Sequence, residues 1–334
     1  MSALEALAGQ LCAGASNFDE GGSIWRSANG SAWTQVSAPG IGASMGITKS
    51  AIMDLAVFND KLFASTGWSG RTSQLWVSPD GKAWSQIPLP AFVGIDELSI
   101  PALGVHDGPL YAGICGITSA EIWRSAGSDY LTWIEVVSGG LGDVENGCVS
   151  GFATFNGELY AAVENWTTGM RIWRSTNGNA GTWQQVNATG FGAAENTISG
   201  GLAVFNGQLY AGTQNNSTGG QIWRTSNGTS WATVVGNGSG DPLNQQIAGF
   251  TVSNGELVTV ANNFSEGLEL WSSSNGTTWQ QRGMGGFGDS NNSDINRSNA
   301  TVFNGSLFIG TWNWSGNGGE LWQKVNDLYL PLVR

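Results

Sequence analysis

The dipeptide Ile/Leu-Trp recurs seven times, ending at Trp25, Trp76, Trp123, Trp173, Trp223, Trp271 and Trp322, with spacings of 51, 47, 50, 50, 48 and 51 residues. A motif held at nearly constant period means that one supersecondary unit is repeated, and such a unit buries its apolar face only against its neighbours. Before each Trp stands a turn signal followed by an alternating apolar run, as in FNGELYAAV at 155–163, FNGQLYAGT at 205–213 and FNGSLFIGT at 303–311. The first unit carries the degenerate form LAGQLCAGA at 7–15. After the Trp, most units carry Ser-x-Asn/Asp-Gly, a short gap and a second Trp, at Trp33, Trp84, Trp133, Trp183, Trp231 and Trp279.

Each unit therefore offers four short strands; in the fifth they are expected at 201–205, 208–213, 221–225 and 231–235. Asn-Gly between alternating runs is a strong hairpin signal, because both central residues of a type I′ turn need positive φ. Asn206-Gly207 and Asn227-Gly228 supply it twice in that unit. No segment sustains a 3.6-residue period. Four antiparallel strands every fifty residues describe an all-β, seven-bladed β-propeller of four-stranded blades. The expected repeats are 2–45, 46–97, 98–147, 148–197, 198–247, 248–296 and 297–334, in one domain spanning 1–334. A solenoid would show shorter units and capping ends, and the chain has neither. The last repeat finds its fourth strand in 328–333.

The segment Ser78-Pro79-Asp80-Gly81-Lys82-Ala83-Trp84 resembles a shortened Asp-box, the hairpin motif of sialidase-related and bacterial neuraminidase-type propeller repeats. It recurs with Asn for Asp, as at 175–183 and 274–279. In that family the box is a structural hairpin without chemistry, so the resemblance implies the fold and leaves the function open. The tail LYLPLVR at 328–334 is similar to C-terminal segments of secreted bacterial repeat proteins, which implies an extracellular setting.

Net charge is −12, and the 13 Lys and Arg form no run, so neither nucleic acid nor an anionic membrane surface is an expected partner. No stretch approaches the ~20 apolar residues needed to span a bilayer. The N-terminus carries no basic stretch followed by an apolar run, so no signal segment is expected within this sequence. Three Cys are too few for a disulfide framework. Cys12 stands where other repeats carry Tyr or Phe and reads as a small buried hydrophobe. Cys115 and Cys148 map near the same end of adjacent units, which leaves two free thiols or a bridge open.

Thirteen of the 17 Trp are repeat positions assigned to packing; the others are Trp68, Trp166, Trp312 and Trp314. All four fall at the loop between second and third strands, on the face shared with the inter-blade connections. Phe18 and Phe264 occupy the slot of Trp68, Trp166 and Trp314, and four of these five aromatics follow Asn17, Asn165, Asn263 or Asn313. The connections on that face repeat GFGAAEN at 190–196 and GFGDSNN at 286–292, with GLGDVEN at 140–146. An exposed ring beside amides and carboxylates suits a sugar: the ring covers the C–H face while Asn, Asp143, Glu195 and Asp289 bond the hydroxyls. The same aromatics also read as plugs packing loop on loop.

The enzymatic inventory is poor. The one His, His106, stands in a turn on the opposite, structural face, which excludes a Ser-His-Asp triad. Arg26, Arg124, Arg174 and Arg224 repeat at one strand position and read as scaffold, so the sialidase active-site residues do not carry over. Asp96, Glu97, Asp143, Glu145, Glu195 and Asp289 reach the loop face and leave a two-acid glycosidase as a third reading. They serve equally as solvated acids or Ca²⁺ ligands; no other cofactor is expected. The chain reads as a non-catalytic, lectin-like propeller binding glycans, with a protein-interaction scaffold as the alternative.

Overall fold

A computed structural model describes residues 1–16, 21–37, 41, 51–67, 73–88, 99–116, 118–295, 299–313, 318–325 and 328–333. Within them the chain is all-β: short antiparallel strands, four 3₁₀ turns and no α-helix. None of the described residues forms a helix long and apolar enough to cross a membrane.

The first repeat shows the plan. Strands β1 (Ala3–Leu7), β2 (Gln10–Ala15), β3 (Ser23–Ser27) and β4 (Thr34–Gln35) pair antiparallel in sequence order. Partners are Leu7↔Gln10, Leu11↔Ser27 and Arg26↔Thr34. The fifth repeat follows with Ile198–Phe205, Gln208–Gln214, Ile222–Thr225 and Ala232–Val235. Its first strand starts three residues before the expected 201, because a bulge between Ser199 and Leu202 lets it run on. Glycine is required there: a Cβ on Gly200 would collide with the Ile247 carbonyl. The last repeat closes with Leu328–Val333 against Leu321–Val325.

The chain divides into two compact units, Met1–Val149 and Ser150–Arg334. Each has its own cores, drawn from consecutive repeats. In the first unit one cluster joins Ile24 to Ile52 and Leu62, and another joins Phe63 and Leu75 to Ile100 and Trp123. In the second, Tyr160 and Ile172 pack with Leu209, Tyr210 with Ile247 and Leu257, and Val260 with Leu307 and Ile309. Each fully buried Leu or Ile contributes about 1.5–3 kcal/mol, so sheet-on-sheet contact is the main stabilising term.

The Asn-Gly turns between first and second strands have the expected conformation: Asn156 and Gly157 sit at φ 51° and 77°, Asn206 and Gly207 at 49° and 69°. At Asn227-Gly228 the expected left-handed pair does not form, and only Gly228 is left-handed, at φ 80°. In the Ser-x-Asn-Gly hairpin of repeat one, the Gly30 N–H donates to Ser27 Oγ at 2.8 Å. Asn29 Oδ1 accepts the N–H groups of Ser31 and Ala32, each at 2.9 Å. The hairpin thus saturates itself and also packs on the preceding repeat. A Cβ on Gly228 would strike the Tyr160 hydroxyl, and one on Gly276 the Tyr210 hydroxyl. In repeat one the tyrosine is replaced by Cys12, fully buried and unbridged, whose Sγ would lie 3.4 Å from a Cβ on Gly81.

Cys115 and Cys148 form a disulfide, which decides between the two alternatives the sequence left open. The pairing of strand Leu110–Cys115 with Asn146–Phe155 puts the two residues directly opposite each other. The sequence could place them at one end of adjacent repeats but could not supply that register.

Candidate functional site

Among the second unit's loops, one construction recurs. The second strand ends on, or one residue before, an asparagine: Asn165, Asn215 or Asn263. The N–H groups two and three residues on donate to its Oδ1, at 3.0 and 2.8 Å for Asn165, 3.0 and 2.9 Å for Asn215, and 3.1 and 2.8 Å for Asn263. The N–H four residues on donates to its carbonyl, closing a single turn at Gly169, Gly219 and Gly267. An asparagine anchored inward forces the three residues after it outward. Those triplets are Trp166-Thr167-Thr168, Asn216-Ser217-Thr218 and Phe264-Ser265-Glu266, all exposed.

The closing glycine meets the following connection. A Cβ on Gly169 would sit 2.6 Å from Gly190 Cα, and one on Gly219 or Gly267 would sit 2.5 Å from the nitrogen of Gly238 or Gly286. Those three connection glycines open turns in which two consecutive residues are left-handed, Gly190 with Phe191 (φ 56° and 54°) and Gly286 with Phe287 (59° and 61°). Each connection then ends on a fully buried asparagine, Asn196, Asn244 or Asn292. Its Nδ2 donates back to the turn carbonyl at 2.8, 3.0 and 3.1 Å respectively, and outward to Gln221, Glu269 or Glu320 at 2.9, 2.7 and 2.7 Å. Trp223 and Trp271 donate their indole N–H to the same Gln221 and Glu269 side chains, at 2.8 and 3.1 Å. The strand-end asparagines donate into this network too: Asn215 to Asn196, Asn263 to Asn244 and Asn313 to Asn292, at 3.0, 3.2 and 3.2 Å.

This geometry sorts the expected site residues. Trp166 and Phe264 are 55% and 50% exposed, far beyond a packed ring. Asn165 and Asn263 have no exposed surface, and their oxygens are occupied by the turn they cap. Their expected role as sugar-binding amides is therefore corrected to a structural one. Asn313 is half-buried and donates to Asp289 Oδ2 at 3.0 Å. Trp312, half-buried, lies in the strand Trp312–Asn313 paired with Asn292–Asp294. Phe191 is an inward plug, stacked on Trp223 at 4.6 Å, and Phe287 tilts against Trp322 at 5.0 Å. Asn17, Phe18, Trp68, Trp314, Asp96 and Glu97 lie outside the described residues.

The carboxylates divide as well. Asp143, half-buried, accepts the Glu145 N–H at 3.0 Å, and Asp289 accepts those of Asn291 backbone and side chain at 3.0 and 2.8 Å. Both act as turn caps, and Asp241 repeats the arrangement with the Leu243 N–H at 2.9 Å. Glu195 is exposed on its connection. Among the described residues, no three His, Cys, Asp or Glu side chains converge as a metal set. His106 is buried in its turn, and burial pushes its imidazole below the ordinary range against the opposing charge of Asp107.

Sequence reasoning missed the hydroxyls Thr167, Ser217 and Ser265, exposed beside the slot position. The signal was available, since Ser or Thr follows the slot residue in each of these repeats.

No protein-family model matches the chain, and no curated protein does. Solved structures do. Lectin BP39L from Burkholderia pseudomallei aligns with a TM-score of 0.67 at 11% identity, covering 100% of this chain and 98% of its own. A putative 6-phosphogluconolactonase from Bacteroides uniformis gives 0.63 at 12%, covering 99% and 95%. A puromycin-hydrolysing peptidase from Mycobacterium tuberculosis gives 0.61 at 12%, and there the chain spans only 53% of the other protein. The likeness is to propeller-type folds. It supports the all-β antiparallel architecture, and at such identities it speaks for the fold alone.

Proposed function

We propose that the protein is a non-catalytic glycan-binding β-propeller, its seven repeats standing as seven blades. The observation that carries the reading is the pair of solvent-exposed rings, Trp166 and Phe264, on turns of identical construction with a hydroxyl residue beside each. A ring covers the apolar face of a pyranose, and hydroxyls meet its polar edge. Repeating that element gives several weak sites whose avidity multiplies on a polyvalent glycan. The lectin among the structural neighbours fits this reading. The carboxylates of Asp143 and Asp289 are committed as turn caps, which disfavours two-acid hydrolysis. An extracellular setting fits the Cys115–Cys148 disulfide, since such bonds persist in oxidising compartments.

The test is a glycan array read with the wild type, Trp166→Ala and Phe264→Ala. The reading expects binding to a sugar class that both substitutions weaken while the melting temperature holds. Silence across the array would favour a protein-interaction scaffold, an alternative to which the exposed Val144 and Leu243 of the connections would contribute.

A further inference from the structure

We infer that the first unit holds a second binding site, specific for a small organic anion, in the cavity beside Arg26. The cavity, about 580 Å³ and open to solvent, is lined by Gln10, Arg26, Thr34, Gln35 and Lys82 together with small apolar residues; among the described residues no carboxylate side chain lines it. In a chain with 25 acidic and 13 basic residues, a cavity whose described lining holds two cations and no acid is a local reversal of sign. Its volume falls within the ~300–1,000 Å³ range of small-ligand sites.

Comparison with the fourth repeat explains why the charge is left over. There Arg174 lies opposite Tyr160 in the strand register and pairs with Glu158 at 3.3 Å. In the sixth repeat Glu256 likewise neutralises Arg282, at 2.8 Å. In repeat one the residue opposite Arg26 is Cys12, and the position equivalent to Glu158 and Glu256 is Gln10. Burial pushes the Cys12 thiol up to about 11, so it brings no negative charge. Arg26 instead donates to the Asp80 carbonyl at 3.0 Å, and neither Arg26 nor Lys82 makes an ion pair among the described residues.

Asp80 is an acid on which the Lys82 charge acts, and its carboxylate is held by its own hairpin. It accepts the N–H groups of Lys82 and Ala83 at 2.8 and 3.0 Å and the Ser78 hydroxyl at 3.2 Å. A guanidinium, an exposed ammonium, two amides and a hydroxyl around one cavity suit a carboxylate or sulfate on a polyhydroxy body. The site is separate from the aromatic turns and does not depend on their reading.

The experiment is isothermal titration of the full chain with glucuronate, inorganic sulfate and glucose. It compares wild type, Arg26→Gln, Lys82→Gln and the control Trp166→Ala/Phe264→Ala. Glucuronate and sulfate should bind and glucose should not. The affinity should fall about tenfold in each charge variant and with added salt, and stay unchanged in the control. Lys82 is exposed, so Lys82→Gln keeps the fold and guards against a merely unfolded Arg26 variant. Anion binding that survives in Lys82→Gln and Arg26→Gln, or a wild type that takes up neither anion, overturns the inference. Sulfate binding without glucuronate binding would overturn the organic-anion assignment, and glucuronate binding well above sulfate would support it and assign the site to acidic sugars.

Discussion

Replacing Cys115 and Cys148 together by alanine should destabilise the first unit substantially. The bridge spans a sequence separation of 33 residues. Chain-entropy reasoning gives a loop of that size about 12 cal/mol/K of lost unfolded-state entropy, or roughly 3.7 kcal/mol at 25 °C. For a unit of this size each kcal/mol moves the midpoint by about 2–4 °C, so the expected fall is of order 10 °C. The assay is thermal unfolding followed by circular dichroism, with Cys12→Ala as the reference, since Cys12 is buried and unbridged. Thiol titration of the native wild type should find no reactive cysteine, because the Cys12 thiol is held protonated and out of solvent. A double variant that melts within about 2 °C of the reference, or two extra thiols titrating in the native protein, would refute the reasoning.

Three further outcomes follow from the packing. Gly228→Ala should cost about 2–3 kcal/mol, since it adds a clash with the Tyr160 hydroxyl to a φ of 80°, whereas Gly207→Ala, at φ 69° in open space, should cost about 1 kcal/mol; urea denaturation compares them. Burial, with the charge of Asp54 adding to it, raises the Glu5 carboxyl to about 7, so the folded state holds a proton that the unfolded chain releases near 4.5. Stability should therefore be fullest below about pH 4.5 in this contribution and decline by up to ~3 kcal/mol as pH rises through 7, a slope that Glu5→Gln removes from the midpoint-versus-pH curve. Trp166→Ala and Phe264→Ala should each change stability by less than about 0.5 kcal/mol, because exposed rings contribute little to the core.

The repeat period, the strand order and the hairpin turns were legible because each leaves a local mark. Asn206-Gly207 forms the left-handed pair of a two-residue hairpin, and Ile/Leu-Trp marks a strand; at Asn227-Gly228 the same dipeptide has only its glycine left-handed, because the Ser/Thr-x-Asn-Gly hairpin sets a different turn. The need for glycine at the bulge was not legible, since the Ile247 carbonyl that excludes a side chain at Gly200 belongs to the next repeat. Asn165 and Asn263 were misread for a chemical reason: asparagine suits both a sugar hydroxyl and the cap of a tight turn, and only burial tells the two apart. The Gly-aromatic-Gly connections were misleading in the same way. Phe191 points inward because the left-handed pair Gly190-Phe191 turns it onto Trp223, which no spacing rule conveys. The exposure of Trp166, by contrast, follows from the asparagine before it and could have been argued from the Asn-x-Ser/Thr pattern alone.

Titrating the wild type with a monovalent form of the best array sugar, and counting sites per chain, tests the repeated-turn account most directly. More than one site per chain, reduced in number when Trp166 and Phe264 are replaced by alanine, is the expected result. A single site, or a count indifferent to both rings, would contradict it.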